Sequence, residues 1–393
     1  MLNFEKIKVD CYGCTSCVHQ CPVGIIQMIS DEWGFSYPTI SQSDRCIGCD
    51  RCVKSCPLSK ELPLNSYLQV EAMRSDEEAS MSTSGGIVGT LAKQMIKEGG
   101  VVYGVSMNDA RCKFVRIEKL DQLKVLRGSK YVQAEMENIF LHVKKDLKSG
   151  IKVLFIGTPC QVAGLYSFLP ECYIGGLLSV SFVCGGVPSH RFLTDALSRY
   201  TEDLEGVSVN FRQGQQYLFQ ILREGNEIKK IRRTKSSYML GFDARLTLRN
   251  SCYHCKFSQP LRVGDITVGD FWGLGKSSFT ELEKADGVSL VISTTEKGLT
   301  WLDRCRPYLR TEKRTWEEAI RWNARLAQPT PAQTVKVEKF RKRYLKVGFH
   351  KAVKRSLTLR DNIKEFLHYS KVHDKYKEFI LYCRSCVGNR RCL

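Results

Sequence analysis

The chain is 393 residues long, enough for two or three domains with their own cores, and it carries 18 cysteines and a formal net charge of +19. Its opening, MLNFEKIKVDC, has no apolar core or small-residue cleavage site, and its most apolar stretches, VLFIGTPCQVAGLYSFLP and YIGGLLSVSFVCGGVP, are broken by Gly, Pro and Gln. This argues against a signal peptide, a membrane span and a secreted disulfide framework, so the expected setting is a reduced cytoplasm in which cysteines serve as metal ligands.

Residues 11–22 read CYGCTSCVHQCP and residues 46–57 read CIGCDRCVKSCP. The pattern C-x2-C-x2-C-x3-C-P, written twice, is the run of two-cluster bacterial ferredoxins, in which the fourth cysteine of each run serves the other cluster. That assigns Cys11, Cys14, Cys17 and Cys56 to one [4Fe-4S] cluster and Cys46, Cys49, Cys52 and Cys21 to a second. Zinc also takes C-x2-C pairs, but a triple run with its terminal Cys-Pro, repeated in full, favours iron–sulfur. Between the runs, IIQMISDEWGFSYPTI predicts a short hairpin with Trp33-Gly34 near its turn.

Residues 61–80 are polar and mixed, and are expected to be a linker leading into a first strand. In MSTSGGIVGTLAKQMIKEGGVVYGVSM, Ser82, Thr83 or Ser84 is expected to cap a helix that places Ile87, Val88, Leu91 and Met95 on one face, ends at Gly99-Gly100 and is followed by strand VVYGV. Gly85 and Gly86 would let a backbone approach a ligand at the positive end of that helix, where a pyrophosphate would rest; a capped helix with no ligand is the plainer alternative. IKVLFIGTPCQVAGLYSFL then predicts a buried strand, a short loop and a helix, and VSFVCGGVPS another strand. Cys160 and Cys184 both fall near strand ends, where ligands of open α/β sheets gather; for either one singly a buried inert thiol is the plainer alternative. Cys252 and Cys255, in SCYHC, make one pair that is two ligands short of a site. Cys160 and Cys184 are the candidates to complete it as a third [4Fe-4S] cluster, with zinc as the alternative and with Cys112 and Cys172 taken as structural.

Residues 331–393 hold 17 Lys/Arg against 5 Asp/Glu, so +12 of the net charge sits there and only +7 in the first 330 residues. Rough helical spacing of Phe, Tyr, Leu and Val among these charges predicts two or three amphipathic basic helices, packing on the body or an acidic partner, with an anionic membrane surface as the second reading. Cys383, Cys386 and Cys392 are left without a role. With its basic residues confined to the tail, the chain is not expected to bind nucleic acid specifically.

The order SGG-helix, GSKYVQ (128–133), GTPCQVAGL (157–165), VCGGVPS (183–189), SCYHC (251–255) and DITVGDFWG (265–273) resembles the coenzyme F420 hydrogenase/dehydrogenase beta-subunit family, to which a two-cluster ferredoxin is commonly joined. The resemblance covers residues 1 to about 310. It implies an α+β ferredoxin domain over 1–60 and, after the linker over 61–80, an α/β flavin and iron–sulfur domain in two parts over 81–190 and 191–325; the basic helical tail over 326–393 lies beyond the resemblance. It further implies FAD, with Ser84, Gly85, Gly86, Ser129 and Lys130 lining its site, and a cluster on Cys160, Cys184, Cys252 and Cys255 beside it. Partners would be a redox protein or a soluble carrier: ferredoxin, F420 or NAD(P)H.

Lys130 would hold phosphate or stabilise negative charge on a reduced flavin, Asp270 would orient a flavin or substrate hydroxyl, and Arg212 and Arg262 would meet an anionic substrate. A solvated lysine, a turn aspartate and surface ion pairs are the plain alternatives. The chain departs from the family at Cys184-Gly185-Gly186, where Cys-His-Gly is usual, and after Phe211-Arg212, where Lys and Trp are expected but Gln213, Gly214, Gln215, Gln216 and Tyr217 stand. Both departures imply an altered substrate pocket. No G-x-G-x-x-G follows a strand as a nicotinamide fingerprint. The expected function is a flavin-dependent iron–sulfur oxidoreductase interconverting hydride and single-electron transfer, with a non-catalytic electron-transfer subunit as the alternative.

Overall fold

Each cysteine run wraps through two left-handed residues into a short helix. Gly13 and Thr15 precede Ser16–Gln20, and Gly48 and Asp50, at the matching positions of the second run, precede Arg51–Lys54. Positive φ at these points keeps three closely spaced sulfurs on the inside of a tight loop. The computed structural model, which describes residues 8–214, 216–274 and 287–358, forms the expected hairpin between the runs. Strands Ile26–Ser30 and Ser36–Ile40 pair antiparallel with Ile26 opposite Ile40. Gly34 at its turn has φ +81, and a Cβ there would lie 2.4 Å from Arg191 Cβ, so the hairpin tip is pressed onto the body of the protein.

The body is built on an eight-stranded sheet. Its order is Arg310–Lys313, Gln69–Arg74, Ser289–Ser293, Ile266–Asp270, Leu177–Phe182, Val153–Gly157, Val101–Asn108 and Arg111–Ile117. The four strands from Ile266–Asp270 to Val101–Asn108 run parallel and the outer ones antiparallel. Helices cover both faces, so the central strands are apolar throughout; VLFIG is buried at all five positions.

The first strand expected within 61–80 is Gln69–Arg74, which lies inside the sheet with Val70, Ala72 and Met73 buried, so the segment is a linker only ahead of it. Leu177–Phe182 and Ile266–Asp270 are sheet neighbours, so the parts over 81–190 and 191–325 share one sheet. A separate antiparallel sheet of Val207–Gln213, Gln216–Arg223 and Asn226–Arg232 lies outside this one.

Helix Ile87–Lys97 buries Ile87, Leu91 and Met95 as expected, and Gly99 beyond its end has φ +78. Its N-cap is Gly86, not one of the three preceding hydroxyls: a left-handed Gly86 turns the chain too sharply for a Ser82–Ser84 side chain to reach the first amides. Helix Pro159–Phe168 starts on a capping box of Thr158 and Gln161. The tail begins as two helices, Thr334–Val347 and Phe349–Ser356. Phe340, Tyr344 and Phe349 ring Phe192 at centroid distances of 5.7, 5.2 and 5.8 Å, which makes these helices part of the core and not an appendage. Lys339, Lys342, Lys346, Lys351 and Lys354 remain on their exposed side. Residues 359–393, with Cys383, Cys386 and Cys392, lie outside the described residues. Among the described residues no helix is long and apolar enough to cross a membrane.

Candidate iron–sulfur and cofactor site

Fifteen cysteines are described, none in a disulfide. Cys11, Cys14, Cys17 and Cys56 line one small cavity with Met28, Pro38 and Leu58. Cys21, Cys46, Cys49 and Cys52 line another with Ile25, Ile26, Ile40 and Ile47. These are the two crossed sets that the run spacing assigns, each including the fourth cysteine of the other run. Burial pushes the Cys14 thiol up to about 12, with Cys11 and Cys56 close enough to add to the rise. Such thiols become thiolates only with a cationic core between them.

Cys160 is the second residue of helix Pro159–Phe168, with its sulfur 3.2 Å from the Thr158 hydroxyl. Cys184 follows the neighbouring strand Leu177–Phe182 and takes the Gly186 amide at 3.4 Å. Cys252 and Cys255 belong to the turn Asn250–His254 and its end. Burial raises all four thiols, Cys184 to about 11 and Cys252 to about 12; each of the two also lies in the field of Cys255, and Cys160 in the fields of the other three. So four cysteines spread over nearly a hundred positions face one another. Among the described residues no three His, Cys, Asp or Glu side chains close on a single-ion point. Four converging cysteine thiolates are a donor set that a four-iron cube takes at its outer corners.

The first ferredoxin group abuts this third group. Gly164, one turn along from Cys160, faces Cys14 so closely that an added Cβ would lie 2.7 Å from Cys14 Cβ and 3.0 Å from its sulfur. Tyr12 stands between them, its ring 5.3 Å from Phe257 and its hydroxyl accepting from the Lys256 amide at 3.1 Å. Burial raises the Tyr12 phenol, and Cys255, Cys160 and Cys252 raise it further.

Cys160, Cys184 and Cys252 also form part of the wall of a cavity of about 380 Å³ at the carboxyl ends of the parallel strands. Its size is within the roughly 300–1,000 Å³ of small-molecule sites. Ser84, Gly86, Ser129 and Lys130 line it, together with Ser82, Thr83 and Arg127. Thr83 and Ser129 join their hydroxyls in its wall at 2.9 Å. Gly85 lies behind the wall, its amide donating to Ser289 Oγ at 3.0 Å and its missing Cβ leaving room for the Met73 carbonyl. The positive end of helix Ile87–Lys97 is not open. The buried Glu78 carboxylate lies beside it, 2.5 Å from Lys93 and 3.5 Å from Arg127. A larger hollow of about 720 Å³, lined by Asp109, Arg111, His190 and Asp203, is open to solvent and has no cysteine in its wall.

Lys130 Nζ donates to the carbonyls of Leu126 and Arg127 at 2.9 and 2.8 Å, and burial pushes its pKa down to about 8. Asp270 takes Arg212 at 2.6 Å, and that guanidinium lies 4.7 Å over the Tyr217 ring, whose other contacts include Arg233 at 4.4 Å and Trp272 at 6.3 Å. Arg212 and Asp270 therefore close one side of the cavity as a pair. Arg262 does not reach it: fully buried, it donates to the carbonyls of Phe257 and Gln259, so the expectation of an anionic substrate contact fails there. Sequence reasoning passed over Tyr12, Glu78, Arg127 and Arg249. The one signal for Tyr12 and Arg249 was their closeness in sequence to ligand cysteines.

No curated protein matches this chain. A solved structure similar to it is a chain of the F420-reducing [NiFe] hydrogenase complex from Methanosarcina barkeri, studied by xenon derivatization, at 17% identity and a TM-score of 0.45, over 79% of this chain and 94% of that one. Residues 150–318 match the family model for the C terminus of the coenzyme F420 hydrogenase/dehydrogenase beta subunit, and residues 10–60 match the 4Fe-4S dicluster domain. The chain is thus similar over residues 10–60 to 4Fe-4S dicluster domains and over residues 150–318 to the C terminus of the coenzyme F420 hydrogenase/dehydrogenase beta subunit, and is an iron–sulfur electron-transfer protein related to that subunit.

Proposed function

We propose that the chain is a flavin-dependent iron–sulfur oxidoreductase that carries electrons along three [4Fe-4S] clusters to and from FAD. The observation that supports it most is the placing of Cys160, Cys184 and Cys252 in the wall of a cavity that also includes Tyr12 and Gly13 of the first cysteine run. FAD, when bound, exchanges a hydride pair on one side and single electrons on the other, while each cluster carries one electron. The chain's own part is to hold and space these groups. Ser82, Thr83, Ser84 and Ser129 offer hydroxyls and Arg127 a guanidinium to a pyrophosphate; Val105, Leu123, Ile156 and Val268 offer a dry apolar seat to a ring system. Asp270, held by Arg212, presents an acceptor at the cavity wall for a ribityl or substrate hydroxyl.

Anaerobic purification is expected to return about twelve irons and one flavin per chain. A colourless protein with stoichiometric zinc, or full iron with no flavin under any reconstitution, ends this proposal.

Lys130 is charged below about pH 8 and neutral above it, because burial disfavours the ammonium. If it serves the flavin phosphates, FAD affinity falls as pH rises through about 8, by about tenfold, or ~1.4 kcal/mol. Quenching of flavin fluorescence across that range measures it, and Lys130→Arg flattens the profile. A flat profile in the unaltered protein removes the Lys130 charge from the site.

A second reading, an electron-transfer subunit whose catalytic site lies on another protein, is favoured by the distal group, the one of Cys21, Cys46, Cys49 and Cys52 that has no part in the cavity wall. Cys49 is exposed there and Ile47 is 65% exposed, an open face for a one-electron partner such as a ferredoxin. Co-purification of a redox partner would separate the two. The lysines on helices Thr334–Val347 and Phe349–Ser356 belong to the same proposal as a contact for an acidic partner, and a cytoplasmic setting is the one in which exposed clusters and free thiols persist.

A further inference from the structure

Two arginines are buried beside the third cysteine group, each 1% exposed. Arg249 donates to the Cys11 and Ser36 carbonyls at 2.7 and 2.9 Å and to Gln133 Oε1 at 3.1 Å, and lies 4.3 Å over the Tyr37 ring. Arg262 donates to the Phe257 and Gln259 carbonyls at 3.0 and 3.1 Å and to Thr267 Oγ1 at 3.3 Å. Every one of these acceptors is neutral. Among the described residues neither guanidinium meets a carboxylate, although the other arginines near the cavity do: Arg212 has Asp270 and Arg127 has Glu78.

A cation taken out of water without a counter-charge is costly, and proteins seldom leave one so. What surrounds these two is sulfur. Arg262 lies in the field of Cys255 and Cys184, and Cys252 lies in the field of Arg249. Four thiolates around an oxidised four-iron core leave roughly two negative charges, and one more after an electron is accepted. The wall of the cavity around Cys21, Cys46, Cys49 and Cys52 differs: among the described residues it holds Ile25, Ile26, Ile40, Ile47 and Asp50 and no Lys or Arg.

We propose that Arg249 and Arg262 are built-in counter-charges to the group held by Cys160, Cys184, Cys252 and Cys255, and that they make it a better electron acceptor than the distal group, so that electrons come to rest beside the cavity. The proposal rests on the reading of those four cysteines as cluster ligands. Both arginines act through the cluster and are positioning residues: a fixed positive charge at short range in a dry setting favours the state with the extra electron.

The test is an anaerobic potentiometric titration of the full chain followed by electron paramagnetic resonance, with iron measured on the same samples. The unaltered protein is expected to show three signals, the third-group signal appearing at the higher potential. Arg262→Gln is expected to lower that group's reduction equilibrium about tenfold, 59 mV for one electron, with the other two signals unmoved. Arg262→Lys, which keeps the charge, is expected to retain the original midpoint. Should Arg262→Gln drop to about eight irons while Arg262→Lys keeps about twelve, the need for a charge is equally supported. An unchanged midpoint in a fully loaded Arg262→Gln protein overturns the proposal, as does an equal shift or equal iron loss in both variants. Only two signals and about eight irons in the unaltered protein would instead remove the third cluster itself, a result distinct from either.

Discussion

Replacing Cys252 with Ala is expected to remove one cluster of three, about four of about twelve irons, and to leave the spectrum of the ferredoxin pair unchanged. The expectation is sharp because Cys252 takes no part in either ferredoxin cavity, while it lies in the wall of the central one. Its neighbour Ser251 does touch the first run, donating to the Cys11 carbonyl at 3.1 Å, but through its own hydroxyl, which the substitution keeps. Cys172→Ala is the control, since Cys172 is exposed and lines none of these cavities. Iron analysis with absorbance and paramagnetic spectra reads the outcome. Full iron in Cys252→Ala would mean that the third group is not a cluster site, and loss of all iron would mean that the three groups assemble as one.

Gly164→Val is expected to be nearly as damaging, although glycine in a helix is otherwise easily replaced. The helix Pro159–Phe168 is buried on almost every side, and at Gly164 its backbone meets Cys14 with no room for a side chain: a Cβ would sit 2.7 Å from Cys14 Cβ and 3.2 Å from Phe140 Cζ. Valine must either displace Cys14 from its loop or push the ferredoxin region off the helix. Overpacking of this kind costs about 1–3 kcal/mol, and here the strain falls on a cluster ligand and on the contact between the first and third cysteine groups. The expected result is loss of about four irons, or retention of all iron with slowed transfer of electrons between ferredoxin and cavity, read by stopped-flow reduction. Gly176→Ala, where the nearest atom to a new Cβ is the tip of Leu147 at 3.2 Å, is expected to have little effect. Normal iron and normal reduction in Gly164→Val would show that the two groups are not in working contact.

Much of this site was legible along the chain because the responsible contacts are local. Two intervening residues between cysteines place sulfurs on one loop, so the crossed sets of Cys11, Cys14, Cys17 and Cys56 and of Cys46, Cys49, Cys52 and Cys21 could be written down from spacing. Strand and helix in IGTPCQVAGL were expected, but the loop expected between them is absorbed by the helix, which starts at Pro159 on a Thr158 cap and takes in Cys160. Capping of Ile87–Lys97 was misread for a local reason too: Ser82, Thr83 and Ser84 have the right chemistry, but Gly86 at φ +81 turns the chain away from them. In the 61–80 segment a first strand was expected, but its bounds, QVEAMR, and its place between Ser289–Ser293 and Arg310–Lys313 follow only from neighbours distant in sequence.

What the sequence by itself determined is the chemistry of each short segment: which cysteines travel together, where helices begin, which strands are buried. Folding alone decided which distant segments share a site, because hydrophobic burial and sheet pairing act without regard to separation along the chain. It carried Cys160 and Cys184 to the pair at 252 and 255, set Arg262 behind the sulfurs and not before a substrate, and drew helices rich in lysine into the core through Phe340, Tyr344 and Phe349. Spacing can name a ligand, but only the buried surroundings tell which charge it must share.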